Sequence, residues 1–396
     1  MRILVLSEVF YPENFIVNDL VLEWKERGYE VEVLTPYPSY PLSYTFEGYE
    51  NKGYSVEEWE GIKIHRFPFI EGYKNSFTKK IFNYWKFVTE GRRVIRKIAK
   101  GFDLVFVSQT GPLTVALPAL LARQKYGIPV AIWTQDIWPH AVFSYGIPKN
   151  RLTEWMLDIF IRYVYRGCDK IFVSSKSFAD IINCYVDKKE IVYTPNWLKP
   201  VKEVKSSLVL DKSKFNFIFT GNVSRYQNLV NTVKGFASAN LTDCVLNIVG
   251  DGSYLDEVKN IVARLDVKNV IFHGRYPYNE MQDILSQSDV LVLPLIADEG
   301  IMKTEPFKIQ SYLNAGKPIM GILGGSGKEI ILENNLGLCA DPDDVDDIAR
   351  VFSGMVKFAP EKRDEVATNA NHLMKTRFNK QKILETFESG LKNIKK

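Results

Sequence analysis

Cysteine and histidine are scarce, with four of each in 396 residues. Cys168, Cys184, Cys244 and Cys339 lie far apart and the histidines are isolated, so neither type is spaced to hold zinc. In an unexported chain such cysteines read as reduced core residues. Long apolar runs are missing too. No stretch of about 18 uncharged apolar residues occurs, which argues against a transmembrane helix. The opening RILVLSEVFYP reads as strand and loop rather than as a signal peptide. The loop after it, FYPENFIVND, has no G-x-G-x-x-G pattern, so a dinucleotide cofactor is not expected. No metal and no cofactor are expected.

What the chain does have is a regular alternation of short apolar runs with helical patterns. Strands are expected at 2–6, 30–35, 62–67, 104–108, 130–134, 170–173 and 191–193, with helices at 18–27 and 113–126 among those between them. A second series begins at 215–220 and continues at 245–249, 270–272, 290–295, 318–322 and 337–340. This is the pattern of βαβ units in parallel sheets, and it predicts an α/β protein of two doubly wound domains. Between the two series lies LKPVKEVKSSLVLDKSK, polar and Lys-rich. The expected division is a first domain at 1–197, a linker at 198–214, a second domain at 215–379 and a final helix at 380–396.

Net charge is only +4, but it is concentrated. Residues 74–100, preceded by Tyr73, carry nine Lys and Arg against one acid, Glu90, interleaved with Phe77, Ile81, Phe82, Tyr84, Trp85, Phe87 and Val88. A basic helix with aromatic residues reads either as a membrane-surface element or as an amphipathic helix packed on a sheet with its basic side solvated. Nothing else resembles a nucleic-acid module, so no nucleic-acid partner is expected.

The densest cluster of signals is VLVLPLIADEGIMKTEPFKIQSYLNAGKPIM, at 290–320. It reads as strand, polar loop, a helix from near Pro306 to Gly316, and another strand. In such a βαβ unit ligands bind beyond the carboxyl ends of the strands. That position holds Glu299, Lys303, Thr304, Glu305 and Lys308 around a helix N-terminus, which suits an anion such as a phosphate. The segment EPFKIQSYLNAGKPI resembles the donor-site segment of family 4 retaining glycosyltransferases, which have the GT-B fold of two Rossmann-like domains facing a cleft. It is similar to a branch reading roughly T-x-P-S-K, helix, A-G-K-P, which includes bacterial O-antigen and capsule enzymes, L-fucosaminyltransferases among them. Further matches are RILVLSEVFYPEN, ERGYEVEVLTPYPSYP, GPLTVALPALLARQKYGIPV, WTQDIWPHAV, VSSKSF, PNW and FTGNV. Their order and spacing carry the resemblance along nearly the whole chain. It also implies that the last helix crosses back onto the first domain.

Donor-binding candidates follow. Gly221 permits a tight turn at the start of GNVSRYQN, Asn222 and its neighbours offer amides, and Arg225 adds a multi-donor cation. The turn alone also reads as a plain strand-to-helix connection. The family resemblance implies Arg after this Gly and Lys a few residues on. Here those places are Asn222 and Gln227, so Arg225, Lys303 or Lys308 must meet the phosphate charge. The family's two Glu residues, eight apart, fall on Lys303 and Ser311. Ser311 is expected to hold a ribose hydroxyl with Gln310 beside it, more weakly than a carboxylate would. Glu305 is a nearby acid. In the first domain Asp136 and His140 of WTQDIWPHAV are the catalytic candidates, for orienting hydroxyls and assisting proton transfer. Glu13, Asn14 and Trp138 are the acceptor candidates. Asp136 as a helix cap, His140 on the surface and 13–14 as a simple turn are the competing structural readings.

The resemblance therefore implies a retaining, metal-independent glycosyltransferase. It would take a UDP-linked sugar, such as an N-acetylated deoxyhexosamine, to a lipid-linked saccharide in surface polysaccharide synthesis. The expected location is the cytoplasmic face of the inner membrane, touched through residues 74–100. A sugar-nucleotide epimerase of the same fold and a non-catalytic sugar-nucleotide-binding protein are the alternatives.

Overall fold

A computed structural model describes residues 1–144, 147–186 and 191–394. The chain forms two compact units, 1–195 with 383–396, and 196–382.

The first unit is built on eight strands. In chain order it contains β1 (Arg2–Ser7), α1 (Ile16–Glu26), β2 (Glu30–Pro36), β3 (Ser55–Trp59), β4 (Ile62–Phe67), α2 (Phe77–Ile98) and β5 (Leu104–Gln109). There follow α3 (Leu117–Tyr126), β6 (Val130–Thr134), α4 (His140–Ser144), α5 (Arg151–Arg166), β7 (Lys170–Val173), α6 (Lys176–Ile182) and β8 (Ile191–Tyr193). The strand order is β3-β4-β2-β1-β5-β6-β7-β8. All pairs are parallel except β3 with β4. That hairpin turns on Glu60 (φ 51°) and Gly61 (φ 69°), the positive-φ pair of a tight two-residue connection.

Strands β1, β5 and β6 are almost wholly buried, as expected where helices cover both faces. On one face α2, α3, α5 and α6 contribute Phe87, Val94, Ile95, Leu120, Ile161, Val164 and Phe178 to a continuous core. On the other, Trp24 of α1 stands edge-on to Phe106 at 4.8 Å. Phe387, from the C-terminal stretch that belongs to this unit, meets Trp24, Phe106, Trp133 and Phe172 at 4.7–6.1 Å.

The second unit has β9 (Phe215–Thr220), α7 (Leu229–Ser238), β10 (Cys244–Val249), α8 (Leu255–Arg264), β11 (Val270–Gly274), α9 (Met281–Ser286) and β12 (Val290–Pro294). It continues with α10 (Glu299–Lys303), α11 (Lys308–Ala315), β13 (Ile319–Ile322), α12 (Gly325–Glu333), β14 (Gly337–Ala340) and α13 (Val345–Lys375). The last helix, α14 (Lys380–Lys392), begins at its end. Its sheet is parallel throughout, in the order β11-β10-β9-β12-β13-β14. The chain runs outward from β9 to β11 and then restarts at β12 on the other side of β9. The carboxyl ends of β9 and β12 therefore flank a topological switch point, where ligands of open α/β sheets bind.

The segment 198–214, expected as a linker, is held on this unit. Leu208 and Leu210 are buried in its core, and the Ser206 hydroxyl donates to Glu280 at 2.7 Å. Its apolar pair outweighs the lysines around it. The polar loop expected after β12 contains α10, capped by the Asp298 side chain accepting from Gly300 and Ile301. No helix among the described residues is long and apolar enough to cross a membrane.

Candidate functional site

In the second unit the switch point is closed in from both sides. β9 ends at Thr220 and the chain turns at Gly221 with φ 130°, a conformation open to glycine. A Cβ there would lie 2.8 Å from Cε and 3.1 Å from Nζ of Lys308, the first residue of α11. Gly250, after β10, has φ 149°, and a Cβ on it would fall 1.9 Å from the Gly221 carbonyl oxygen. The two strand ends are thus packed backbone to backbone. The Lys308 ammonium lies 3.8 Å from the centroid of the Phe219 ring and donates to Gln227 Oε1. Burial pushes this lysine well below its ordinary pKa, and it has no ion-pair partner among the described residues. A cation without a carboxylate, above a helix N-terminus and between turning backbones, is an arrangement that favours a phosphate.

The family pattern placed a lysine at 227. The structure brings Lys308 to the Gln227 side chain from 81 residues further along, so an ammonium occupies that place by another route.

The remaining donor candidates separate. Asn222 and Arg225 are exposed on the same loop. Lys303 is exposed at the end of α10, with its carbonyl accepting from Ser326 Oγ at 3.4 Å. Glu305 is 4% exposed and takes Arg377 Nη2 at 2.8 Å. That ion pair, rather than a solvent-facing carboxylate, is its environment. Gln310 is buried and donates to the Asn196 carbonyl at 3.4 Å, while its Oε1 has no partner among the described residues. Ser311 bonds the Tyr278 hydroxyl, and its carbonyl accepts from Gln282 at 3.3 Å. Of the donor candidates among the described residues, Gly221 and Lys308 come together, with Gln227 beside them. The acidic run at 341–347 serves as a helix start. Asp344 caps α13 by accepting from Asp346 and Asp347, and Asp347 accepts from Asp341 N at 2.8 Å.

In the first unit the sheet reverses between β1 and β5, and the polar residues gather there. Glu8 follows β1 directly. Burial pushes its carboxyl up to about 8, with Asp136 and Glu13 raising it further and the Lys80 charge opposing. Asp136, just past β6, is pushed up to about 7 by burial, against a hydrogen bond from the Ile137 amide and the charge of Lys80. Gln109, ending β5, ties the cluster together by donating to the Gly111 carbonyl at 2.6 Å and the Asp136 carbonyl at 2.9 Å. His140 is half-buried at the start of α4.

Glu8 and Lys80 escaped the sequence reading. The available signal was an acid directly after a buried parallel strand, whose carboxyl end faces ligands in this fold class. Lys80 belongs to the basic run 74–100, and in the structure it is half-buried with its charge coupled to Glu8 and Asp136.

The acceptor candidates behave otherwise. Glu13 is 5% exposed, and its oxygens accept from the amides of Phe10 at 3.0 Å, Ser39 at 2.8 Å and Tyr40 at 2.6 Å. It organises two loops and leaves little for a ligand. Asn14 beside it is exposed. Trp138 is buried in the core and lies 5.8 Å from the Phe160 ring of α5.

Comparison with known proteins bears on the family and the fold. Residues 14–197 match the glycosyl transferase 4-like domain, and residues 201–373 match glycosyl transferases group 1. The probable glycosyltransferase WbjE of Pseudomonas aeruginosa is 24% identical over 63% of this chain, and the match spans 65% of that protein, just under two thirds. The putative colanic acid biosynthesis glycosyl transferase WcaI of Escherichia coli is 20% identical over 73% of this chain and 75% of its own. Among solved structures, the Anabaena protein HepE in complex with UDP superposes with a TM-score of 0.71 at 14% identity, covering 99% of this chain and 100% of its own. The E. coli trehalose-6-phosphate protein bound with UDP-2-fluoro glucose gives 0.74 at 12% identity, covering all of both chains. With both halves matched in order and the fold shared end to end, the chain belongs to the family 4 glycosyltransferases of GT-B fold.

Proposed function

We propose that the protein is a retaining glycosyltransferase that takes a sugar from a UDP-linked donor held on the second unit. The observation that carries this reading is the half-buried Lys308 ammonium, with no carboxylate partner among the described residues, between Gly221 and Gln227 at the switch point. In this role Lys308, the amides after Gly221 and the N-terminus of α11 take up the charge of the departing diphosphate. Arg225, exposed on the same loop, closes on the phosphates from outside. No metal is needed to balance the leaving group. Ser311, with Gln310 beside it, serves the ribose without a carboxylate. UDP is favoured because HepE and the trehalose-6-phosphate protein are described in complex with UDP or a UDP-sugar. An N-acetylated deoxyhexosamine is the sugar the sequence resemblance favours.

The acceptor is a lipid-linked saccharide of bacterial surface polysaccharide synthesis, in keeping with the colanic acid description of WcaI. Glu8 and Asp136, whose pKa values lie near neutrality, orient its hydroxyls, with His140 at hand for proton transfer. The protein works at the cytoplasmic face of the membrane. It touches the bilayer through residues 74–100, where Phe77, Phe82 and Trp85 are 50–63% exposed.

The test is nucleoside diphosphate release from UDP-sugars, with and without lipid-linked saccharides extracted from a polysaccharide-producing bacterium. Acceptor-dependent UDP release with an axial-to-axial or equatorial-to-equatorial product, read by NMR, is expected. Inversion at the anomeric carbon overturns the retaining mechanism. An isomerised sugar nucleotide as sole product identifies an epimerase, and binding without release identifies a non-catalytic protein.

A further inference from the structure

α5 is apolar on two opposite sides. Ile161, Val164 and Tyr165 face the core. On the outside Leu152 (64% exposed), Trp155 (61%), Met156 (57%), Ile159 (48%) and Tyr163 (45%) form a second stripe. Their spacing of three, four, seven and eleven residues places them on one face of a helix. Single exposed apolar residues need no explanation, but five on one face, with a tryptophan and a methionine at its centre, mark a contact surface.

The charges around the stripe say what it contacts. Between 149 and 166 there are four cations, Lys149, Arg151, Arg162 and Arg166, and two acids, Glu154 and Asp158, giving 4 − 2 = +2. Asp158 is paired with Arg162 at 2.8 Å. α2 and α5 lie on the same face of the sheet and both pack against the turn at Leu113–Ala116. α2 presents Phe77, Ile81, Phe82 and Trp85 at its first turns, and the cations Arg93, Arg96 and Lys97 are exposed further along it. Two helices of one layer therefore each offer exposed apolar side chains and exposed cations.

We infer that the outer face of α5 is a second membrane-docking element, which inserts its apolar stripe into an anionic bilayer together with the first turns of α2. Wide aromatic and aliphatic side chains enter the interface, while the flanking arginines meet phosphate headgroups. The inference rests on the membrane reading of α2 and extends it to a segment whose sequence lies far from 74–100. It also links docking to the site. Phe160 on α5 touches Trp138, two residues beyond Asp136, so the helix that meets the bilayer also supports the loop carrying the proposed acceptor group.

The experiment is flotation of the full chain with vesicles of phosphatidylglycerol and phosphatidylethanolamine, against vesicles of phosphatidylcholine alone. No sugar nucleotide or acceptor is present, so its outcome is independent of whether the protein transfers sugar. Trp155→Ser with Met156→Ser, and separately Leu152→Gln with Ile159→Gln, are compared with wild type and with Phe82→Ser with Trp85→Ser on α2. Expected is binding to the anionic vesicles only, reduced by about tenfold in either α5 pair with the melting temperature unchanged. Should both α5 pairs bind as wild type while the α2 pair does not, α2 docks alone and the inference falls. Failure of wild type to bind also overturns it. So does a stripe that controls self-association in sedimentation without altering vesicle binding.

Discussion

Replacing Lys308 by Met should make the unliganded protein more stable and its nucleotide complex weaker. Methionine keeps most of the aliphatic stem that fills the space beside Gly221 and Phe219. What disappears is a charge that burial already disfavours. Because the folded pKa is depressed, the cost is fully present at low pH and is relieved as pH rises towards the ordinary lysine value. Removing it should raise stability by about 1 kcal/mol near pH 7, or roughly 2–4 °C in melting temperature for a unit of this size. The same change deletes the proposed charge-assisted contact to the diphosphate, worth about 1.5–3 kcal/mol, which is roughly 10- to 150-fold in Kd for UDP. Calorimetric titration with UDP, run beside thermal melting, reads both effects. Gln227→Lys in the Lys308→Met background should recover most of the affinity, since it restores an ammonium at the same point from the opposite loop. An unchanged UDP affinity in Lys308→Met would refute the phosphate role, and a marked loss of apo stability would show the lysine to be structural.

The raised carboxyl of Glu8 carries a pH signature. Its folded pKa of about 8 exceeds its unfolded value, so it contributes stability below about pH 4 that is lost as pH rises towards 8. Glu8→Gln should remove roughly 2 kcal/mol of that fall, discounted for the group's partial access to water, as seen in denaturant midpoints across pH 5–9. Gly250→Ala should cost about 3 kcal/mol or more, because the new Cβ meets the Gly221 carbonyl at 1.9 Å and the φ is foreign to alanine. A small loss on urea unfolding would contradict the packed-backbone description. Glu305→Ala should destabilise by roughly 2–3 kcal/mol by exposing Arg377 to an emptied, buried site. Its UDP Kd, measured where the protein is folded, should change less than that of Lys308→Met.

Much of the architecture was legible because buried parallel strands are continuous apolar runs. Val290–Pro294 and Phe215–Thr220 could hardly read as anything else. β3 was missed because it is a partly exposed hairpin arm reading SVEEW, with acids where a core strand has apolar residues. Its only clear signal was the Glu60–Gly61 turn. α10, five residues long, is too short for periodicity to register. Local geometry at the candidate site was legible where backbone conformation dictates residue type, as at the Gly221 turn. It was not legible where distant side chains meet. Lys308 was one of three possible cations until the fold carried it to Gln227. Glu13 illustrates the reverse error. An acid between Pro12 and Asn14 looks like a loop residue facing solvent, yet its carboxylate is consumed by three backbone amides from two loops.

The account turns on the second unit being a uridine diphosphate site, and the direct test is thermal melting of the whole chain with UDP, GDP, dTDP, ADP and CMP in turn. At a hundred times its Kd a nucleotide that binds the folded state stabilises by about 2.7 kcal/mol, or roughly 5–10 °C here. The prediction is a shift of that size with UDP, strongly reduced in Lys308→Met, and little from the others. No shift with any of them, or a UDP shift indifferent to Lys308, would contradict it.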